Sequence, residues 1–270
     1  MADRKIGIIG AGGRMGQACI RQVTGTDGCV IVAAADAPGA QTLGRDAGEA
    51  AGAGRLGIEV TDDAAAVIAA SDAVIEFTLP GPTVEHAALT AEAGVAHIIG
   101  TTGLEAAQED ALRRAGEKTV VMHAPNMSLA VNLLFALTKQ VAATLGDDFD
   151  IEIFEMHHKH KVDAPSGTAV GLGRAAAAGR GIDLDDVAQW ARHGITGERR
   201  RGDIGFAALR GGNVIGDHTV TFAVEDERLE ISHKAQSRQI FARGAVHAAL
   251  WSANRPPGFY TMFDVLGIEY

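Results

Sequence analysis

Between residues 155 and 169 the chain reads Glu-Met-His-His-Lys-His-Lys-Val-Asp-Ala-Pro-Ser-Gly-Thr-Ala. Three histidines and two lysines fall within residues 157–161 of a protein whose net charge is -10. A buried strand does not carry such a run, so the segment must leave a strand and enter a loop. Three chemistries are open to it. His158 and His160 alternate onto one side with Glu155 and Asp163 nearby, as metal ligands would, although the adjacent lysines make a bound cation costly. The charges could also form a plain solvated face. The third reading is an anion site. Ser166 is a good helix N-cap, and the amides of Gly167 and Thr168 then belong to a helix start, where free N–H groups and the helix dipole favour negative charge. Lys161 and the imidazoles add to that attraction. His157 and Lys161 could also deliver a proton near neutral pH, the lysine provided that neighbouring cations lower its pKa. A dicarboxylate reduced by hydride and then protonated suits this equipment.

A second concentration of chemistry lies near the N-terminus. Gly10-Ala11-Gly12-Gly13-Arg14-Met15-Gly16 follows an apolar run and precedes a helical pattern. The strict dinucleotide fingerprint has glycine at its first, third and sixth positions, and here the sixth is Met15. Glycines at 10, 13 and 16, with Gly12 added, serve the same physics. Gly10 permits the tight turn, Gly12 and Gly13 bring backbone N–H groups to a pyrophosphate, and Gly16 allows close packing at the helix start. Asp36 ends the second expected strand, where a carboxylate accepts from adenosine ribose hydroxyls. A ribose phosphate would need a cation next to it. The residues there are Ala37 and Pro38, and Arg14 is the only basic residue expected near the phosphate loop, so NADH is favoured over NADPH with dual use left open. Loops after later strands should line the same crevice: Phe77-Thr78, Gly100-Thr101-Thr102, and Ala124-Pro125-Asn126-Met127.

The elements that must position these groups can be read from periodicity. Strands are expected at 5–9, 30–35, 73–77, 96–99 and 119–122. Helices are expected at 14–23, 61–70 (opened by Thr61), 83–93 and 105–116, with a long loop at 39–57 whose alanines could make a short helix. Strands separated by helices imply a doubly wound parallel sheet covered on both faces. After residue 128 the texture changes. Helices are expected at 129–145 and 166–178, strands at 150–156 and 204–209, and an antiparallel hairpin at 219–224 and 228–232 around Glu225-Asp226-Glu227. The last helix is expected at 241–251, followed by an apolar tail. The fold class is therefore α/β: a Rossmann-like N-terminal sheet and a C-terminal α+β domain with a mixed, mainly antiparallel sheet.

Composition limits what the protein can be. With 47% hydrophobic and 21% charged residues among 270, a sizeable core is available and disorder is excluded. The acidic balance repels phosphate backbones, so no nucleic-acid partner is expected. Cys19 and Cys29 are too few for a disulfide framework or a structural zinc site, and no metal is expected. No apolar run approaches a membrane span, and residues 6–9 are too short for a signal sequence, so a cytoplasmic protein without membrane contact is expected.

Glu-x-His-His-x-x-Lys-x-Asp-Ala-Pro-Ser-Gly-Thr-Ala, from Glu155 to Ala169, resembles the signature of the 4-hydroxy-tetrahydrodipicolinate reductase (dihydrodipicolinate reductase) family. The resemblance extends to residues 10–16, Gly100-Thr101-Thr102-Gly103, Asn126-Met127-Ser128, Arg210-Gly211-Gly212, Ser237-Arg238 with Phe241-Ala242, and residues 260–267. It implies that His157 is the catalytic acid/base and Lys161 the proton donor. It also implies that His158, Gly167 and Thr168 bind the substrate carboxylates. Gly10, Ala11, Gly12, Gly13, Arg14, Met15, Gly16, Asp36, Gly100, Thr101, Thr102, Ala124, Pro125, Asn126 and Met127 would hold the nicotinamide cofactor. The implied protein is a homotetramer of the diaminopimelate route to lysine, with residues 1–128 and 240–270 as the dinucleotide-binding domain and 129–239 as the substrate and oligomerisation domain. Ala37, where many members carry Arg, bears on NADP use and leaves the reaction unaffected. Two rivals remain open: another two-domain amino- or imino-acid dehydrogenase, which should lack the histidine-lysine run, and a non-catalytic nicotinamide-binding regulator, which has no use for two proton donors.

Overall fold

A computed structural model describes residues 2–270. In chain order the first elements are β1 (Arg4–Ile9), α1 (Arg14–Thr24), β2 (Cys29–Ala35), α2 (Ala47–Ala51), β3 (Val60–Thr61), α3 (Ala64–Ala69), β4 (Ala73–Glu76), α4 (Pro80–Ala93), β5 (Ala96–Ile99), α5 (Ala106–Gly116), β6 (Val120–His123) and α6 (Leu129–Leu145). Then follow β7 (Asp150–His157), α7 (Gly167–Arg180), α8 (Leu184–Val187), β8 (Ala188–Gln189), β9 (Ile204–Arg210), β10 (Gly216–Ala223), β11 (Arg228–Ala235), α9 (Gln239–Trp251), β12 (Gly258–Tyr260) and α10 (Met262–Leu266). They form two compact units: residues 2–129 with Arg238–Glu269, and Ala130–Ser237 with Tyr270.

The first unit is built on a seven-stranded parallel sheet in the order β12-β6-β5-β4-β1-β2-β3. Strand order reverses between β1 and β4, which makes the carboxyl ends of those two strands the natural ligand crevice. β4, β5 and β6 are buried along their whole length, as parallel strands covered on both faces should be. Ile6, Ile8, Ile20, Ile75, Ile98 and Met122 are almost fully buried in or against the sheet, and each such side chain contributes about 1.5–3 kcal/mol by leaving water. Cys19 and Cys29 are free thiols in the same core, and burial pushes Cys19 up to about 12.

Local chemistry corrects several sequence expectations here. Thr61 does not open a helix. It pairs with Ala35 as the end of β3, and α3 starts three residues later because the Asp63 side chain caps it by accepting from the Ala66 amide. The expected loop at 39–57 contains the short helix α2, held by one carboxylate. Asp46 accepts backbone N–H groups from Gly48, Glu49, Leu56, Gly57 and Ile58, and these bonds, that of Leu56 foremost, hold its carboxyl at about 2. Helix α4 begins at Pro80, three residues before the apolar pattern does, since proline suits the first helical turn. The apolar tail supplies a seventh strand, β12, alongside β6, then α10, whose start is closed by a Thr261–Asp264 capping box.

The second unit is a five-stranded mixed sheet in the order β11-β10-β7-β9-β8. The antiparallel ladders β7–β10 and β10–β11 are longer than the parallel ladders β7–β9 and β8–β9 together. The expected hairpin is β10–β11. The short α8 and β8 have no counterpart in the sequence reading. Ile151, Ile153, Phe206, Val220 and Phe222 point inward to Leu172, Ala176 and Leu134 of α7 and α6. Alternation along β7 turns Glu155 and His157 to the same inner side.

Within the first unit, α9 lies directly on the segment after β6. A methyl added at Gly244 would stand 1.7 Å from the Met127 carbonyl oxygen, whereas one at Gly81 in α4 would meet nothing within 4 Å. Gly244→Ala is therefore expected to cost about 3 kcal/mol and to lower Tm by roughly 5–10 °C, with Gly81→Ala as a neutral control in the same thermal scan. Equal Tm values for the two variants would contradict this packing.

Candidate active site

In the first unit, the glycine turn follows β1 at the centre of the sheet. Gly10 takes a left-handed φ of 85°, and a Cβ at Gly16 would lie 2.0 Å from the Gly10 carbonyl, so both positions demand glycine. The turn satisfies most of its own amides. Gly10 and Ala11 both donate to the Ala35 carbonyl at 2.9 Å, and Gly13 donates to Gly10 at 3.1 Å. Gly12 donates to Asp36 Oδ2 at 2.8 Å. The expectation that the Gly12 and Gly13 amides face a pyrophosphate is therefore corrected. The donors left for a phosphate are those of Arg14, Met15 and Gly16, the first turn of α1, which has no side-chain cap.

Asp36 stands where the ribose reading requires it, just past β2. Its Oδ2 also accepts the Thr42 hydroxyl at 2.9 Å, and its Oδ1 accepts the Ala37 amide at 2.8 Å. Three donors on an ion with about four acceptor positions leave room for one more. Thr42 was not foreseen, and nothing local in the sequence marks it.

Two clefts open beside this turn. One of about 380 Å³ is lined by Gly10, Gly13, Asp36, Ala37, Pro38, Phe77, Thr78, Leu79 and His86, among others. The other, of about 270 Å³, is lined by Arg14, Met15, Phe77, Gly100, Pro125, Asn126, Met127, Arg238 and Phe241. Phe77 is common to both. Arg238 corrects the expectation that Arg14 is the only cation near the loop; it arrives from the far end of the chain at the start of α9, a proximity no local pattern could reveal. Ala11 and Ala124 are buried beneath the surface and line neither cleft. Thr101 is turned inward, 2.9 Å from the Thr83 hydroxyl and accepting the Thr78 amide at 3.2 Å, while Thr102 is exposed. Together a glycine turn, a helix start, an acid beyond β2 and a two-part cleft at the carboxyl ends of the strands fit an extended dinucleotide.

In the second unit the proposed acid/base group rests on a buried carboxylate. Glu155, 1% exposed, accepts His157 Nδ1–H at 2.5 Å, the two Arg210 terminal nitrogens at 2.8 and 2.9 Å, and the Ser166 amide at 3.1 Å. Burial alone would raise its pKa, but the hydrogen bonds of Arg210, His157 and Ser166 outweigh that and hold the carboxyl below its ordinary range. A carboxylate only accepts, so Nδ1 of His157 carries the proton and Nε2 is left for chemistry. A Cβ at Gly216 would come within 2.9 Å of Nε2, and glycine leaves that approach clear.

The loop after β7 is tied to the same carboxylate. Arg210 also donates to the Asp163 carbonyl at 2.7 Å, and both Asp163 carboxylate oxygens hold Lys161 Nζ at 2.8 Å. Lys161 is thus held by an acid rather than crowded only by cations. Ser166 caps α7 by accepting the Ala169 amide at 3.2 Å, which puts Gly167 and Thr168 at the positive end of the helix dipole. His158 lies with its ring 6.2 Å from that of His160. Among the described residues, no group of three or more His, Cys, Asp or Glu side chains is arranged to hold a metal ion.

The chain matches the family described as "Dihydrodipicolinate reductase, N-terminus" over residues 4–127 and "Dihydrodipicolinate reductase, C-terminus" over residues 130–266. A 4-hydroxy-tetrahydrodipicolinate reductase of Rhodopseudomonas palustris (strain HaA2) is 51% identical over 268 residues, 99% of each chain. One of Ruegeria pomeroyi is 56% identical over 261 residues, 97% of each. The chain belongs to the dihydrodipicolinate reductase family. Its fold also matches the dipicolinate-bound dihydrodipicolinate reductase from Paenisporosarcina sp. TG-14, with a TM-score of 0.77 at 23% identity over 97% of this chain and 98% of that one.

The sequence reading of this dihydrodipicolinate reductase family member named Glu155 only as a possible metal ligand, quoted Arg210 without a role and did not mention His218. Alternation along β7 could have paired Glu155 with His157. Arg210 comes into reach only because β9 lies in register with β7, opposite His157. His218, 4% exposed, meets Ser166 Oγ at 3.1 Å and stands edge-on to His157 at 5.1 Å between ring centroids. Burial, helped by the nearby His157, pushes its pKa down to about 4 from 6.5. Between those pH values the unfolded chain takes up a proton that the folded chain refuses, so stability falls as pH falls. The loss from this group is on the order of 2 kcal/mol at pH 5. Denaturant titrations of the wild type and His218→Gln at pH 7.5 and 5 should show the pH dependence reduced in the variant. The same slope in both would remove His218 from the account.

Proposed function

We propose that this protein reduces 4-hydroxy-tetrahydrodipicolinate, through dihydrodipicolinate, to tetrahydrodipicolinate in the diaminopimelate route to lysine, using NADH. The observation that carries the reading is the Glu155–His157 pair beside the capped start of α7: an oriented proton donor next to a site for carboxylates. It is supported by the family membership and by the relatives' shared name. Gly167 and Thr168, with His158, hold the two substrate carboxylates at the helix start. A bound dihydronicotinamide supplies a hydride to the ring carbon conjugated to the imine. Electron density then moves toward the ring nitrogen and the adjacent carbon. His157, through Nε2, and Lys161, through Nζ, stabilise that charge and deliver the proton that completes the two-electron reduction.

The dinucleotide reading assigns the pyrophosphate to the start of α1, the adenosine to the cleft beside Asp36 and Pro38, and the nicotinamide to the cleft of Gly100 and Asn126. NADH is preferred in this reading because the adenosine cleft carries Asp36, Asp62 and Glu85, and a 2′-phosphate there would face carboxylates with alanine where a cation is needed. Residues 1–128 with 240–270 act as the dinucleotide domain, and 129–239 as the substrate and oligomerisation domain. A homotetramer is supported by the sheet face of the second unit that exposes Phe154 and Leu209. No described helix is long and apolar enough to cross a membrane, in keeping with a cytoplasmic enzyme.

Purified protein should oxidise NADH when the substrate is generated in situ from pyruvate and aspartate semialdehyde. His157→Gln and Lys161→Ala should each lower kcat by about 10²-fold or more, with the Kd for NADH changed less than about twofold; full kcat in both variants would overturn the role assignment. Ala37→Arg should lower the KM for NADPH by about tenfold relative to NADH, the scale of one added charge-assisted pair. An unaltered cofactor ratio would sink the account of NADH preference.

A further inference from the structure

The last residue of β4 breaks the rule that this sheet otherwise follows. Residues 73–76 read Ala-Val-Ile-Glu, all buried, and Glu76 is 0% exposed, between Ile9 of β1 and Ile99 of β5 in register. A charged group is costly at such a place unless its partners are built around it. They are histidines and threonines. Oε2 accepts His97 Nε2 at 2.7 Å, and Oε1 accepts His86 Nδ1 at 2.9 Å, the Thr83 hydroxyl at 3.1 Å and the Thr78 hydroxyl. Burial would raise the pKa of this carboxyl, but the bonds from His86 and His97 reverse that and keep it ionised well below the ordinary range.

The partners lead outward to both clefts. The Thr83 hydroxyl is 2.9 Å from that of Thr101, which also accepts the Thr78 amide at 3.2 Å. The Thr101 carbonyl is 3.1 Å from His123 Nε2. His97 is backed by the Thr90 hydroxyl at 3.3 Å. Phe77, Thr78 and His86 line the larger cleft, and Phe77 and Gly100 the smaller one. The segment after β4, the first turns of α4 and the segment after β5 are therefore joined through one carboxylate that does not itself reach either cleft.

We propose that Glu76 is a positioning residue of the dinucleotide site: its buried carboxylate, acting through Thr83 and Thr101 on one side and His86 on the other, fixes the two loops between which the cofactor lies. The inference rests on the reading of these clefts as the dinucleotide site. His86 is held with Nδ1 inward, since a carboxylate can only accept, and Nε2 is its one polar atom available to the adenosine cleft. The neighbouring Thr101 acts through its backbone and its hydroxyl link, not by presenting its side chain to the ligand.

The test is NADH binding followed by fluorescence, with pyridine-2,6-dicarboxylate binding and Tm measured in parallel. Glu76→Gln keeps the shape and removes the charge. It should raise both the Kd and the KM for NADH by about tenfold, leave the affinity for pyridine-2,6-dicarboxylate within twofold, and lower kcat at saturating NADH far less than it raises KM. An unchanged Kd for NADH, or equal weakening of both ligands in step with a loss of folded protein, would overturn the proposal. If Glu76→Gln does not fold, Thr83→Val decides, because it removes the hydroxyl that joins Glu76 to Thr101, with its contacts to Thr78 and the Leu79 carbonyl, and leaves the carboxylate and both histidines in place. A threefold or larger rise in Kd supports the proposal, and no rise refutes it. Wild-type protein that fails to bind NADH at all would instead overturn the dinucleotide reading on which the inference stands.

Discussion

One buried anion organises the chemistry of the second unit. The Glu155 carboxylate can only accept hydrogen bonds, and it is nearly saturated by Arg210, His157 and Ser166. Each bond has a consequence elsewhere. The bond to His157 fixes the tautomer and leaves Nε2 without the proton. The bond to Ser166 sets the residue that caps α7, and with it the helix start at Gly167 and Thr168. Arg210, oriented by its fork on Glu155, also holds the Asp163 carbonyl, and the Asp163 side chain holds Lys161. Removing one partner would leave a buried charge unmatched, which typically costs 3–5 kcal/mol. His157, Lys161 and the start of α7 are therefore positioned together, through one buried group.

The first unit solves a related problem with backbone. Its glycine turn spends its early amides internally, on Ala35, Asp36 and Gly10, and so becomes rigid before any ligand arrives. The amides left over are those of the first turn of α1, which lacks a side-chain cap. The contrast with α7 suits the different anions that the proposed function assigns to the two helix starts. A pyrophosphate is large enough to take several amides at once, so an uncapped helix start serves it. Carboxylates shared with a side chain such as His158 need fewer, and α7 can give the Ala169 amide to Ser166 and still present its dipole.

Much of this was legible in the sequence for identifiable reasons. Short buried strands alternating with helices announce a parallel sheet, and Gly10 to Gly16 followed by Asp36 places the crevice without any long-range information. Ser166-Gly167-Thr168 reads as a capped helix start from residue types alone. The failures share a different origin. Asp46, Asp63 and Asp36 each take backbone amides whose donors are set by the folded path of a loop, so the true start of α3 and the existence of α2 were not decided by hydrophobic pattern. Arg210, His218 and Arg238 act across sheet register or from a distant helix, and a single sequence carries no signal for that adjacency. Glu76 was hidden for a third reason. It falls inside the expected strand 73–77, where nothing in the apolar pattern gives a lone carboxylate partners, and only the packing of α4 and β5 supplies them.

Glu76 and Glu155 show how the choice of partner suits the task of a buried carboxylate. In the proposed reaction Glu155 lies at the edge of a site where a proton moves, and it is held by an arginine, whose charge does not vary over the working pH range. That constancy keeps Glu155 ionised and in place, with His157 held through Nδ1. Glu76 lies beneath the two clefts of the first unit, and it is held by two imidazoles and two hydroxyls with no arginine or lysine among its partners. Such short, weakly polar partners let α4 and β5 pack close to the strand, which a guanidinium would prevent by its bulk and its own need for donors to be satisfied. The sheet thus keeps its closely packed interior up to the last residue before the crevice, and the loops beyond it inherit a fixed starting point.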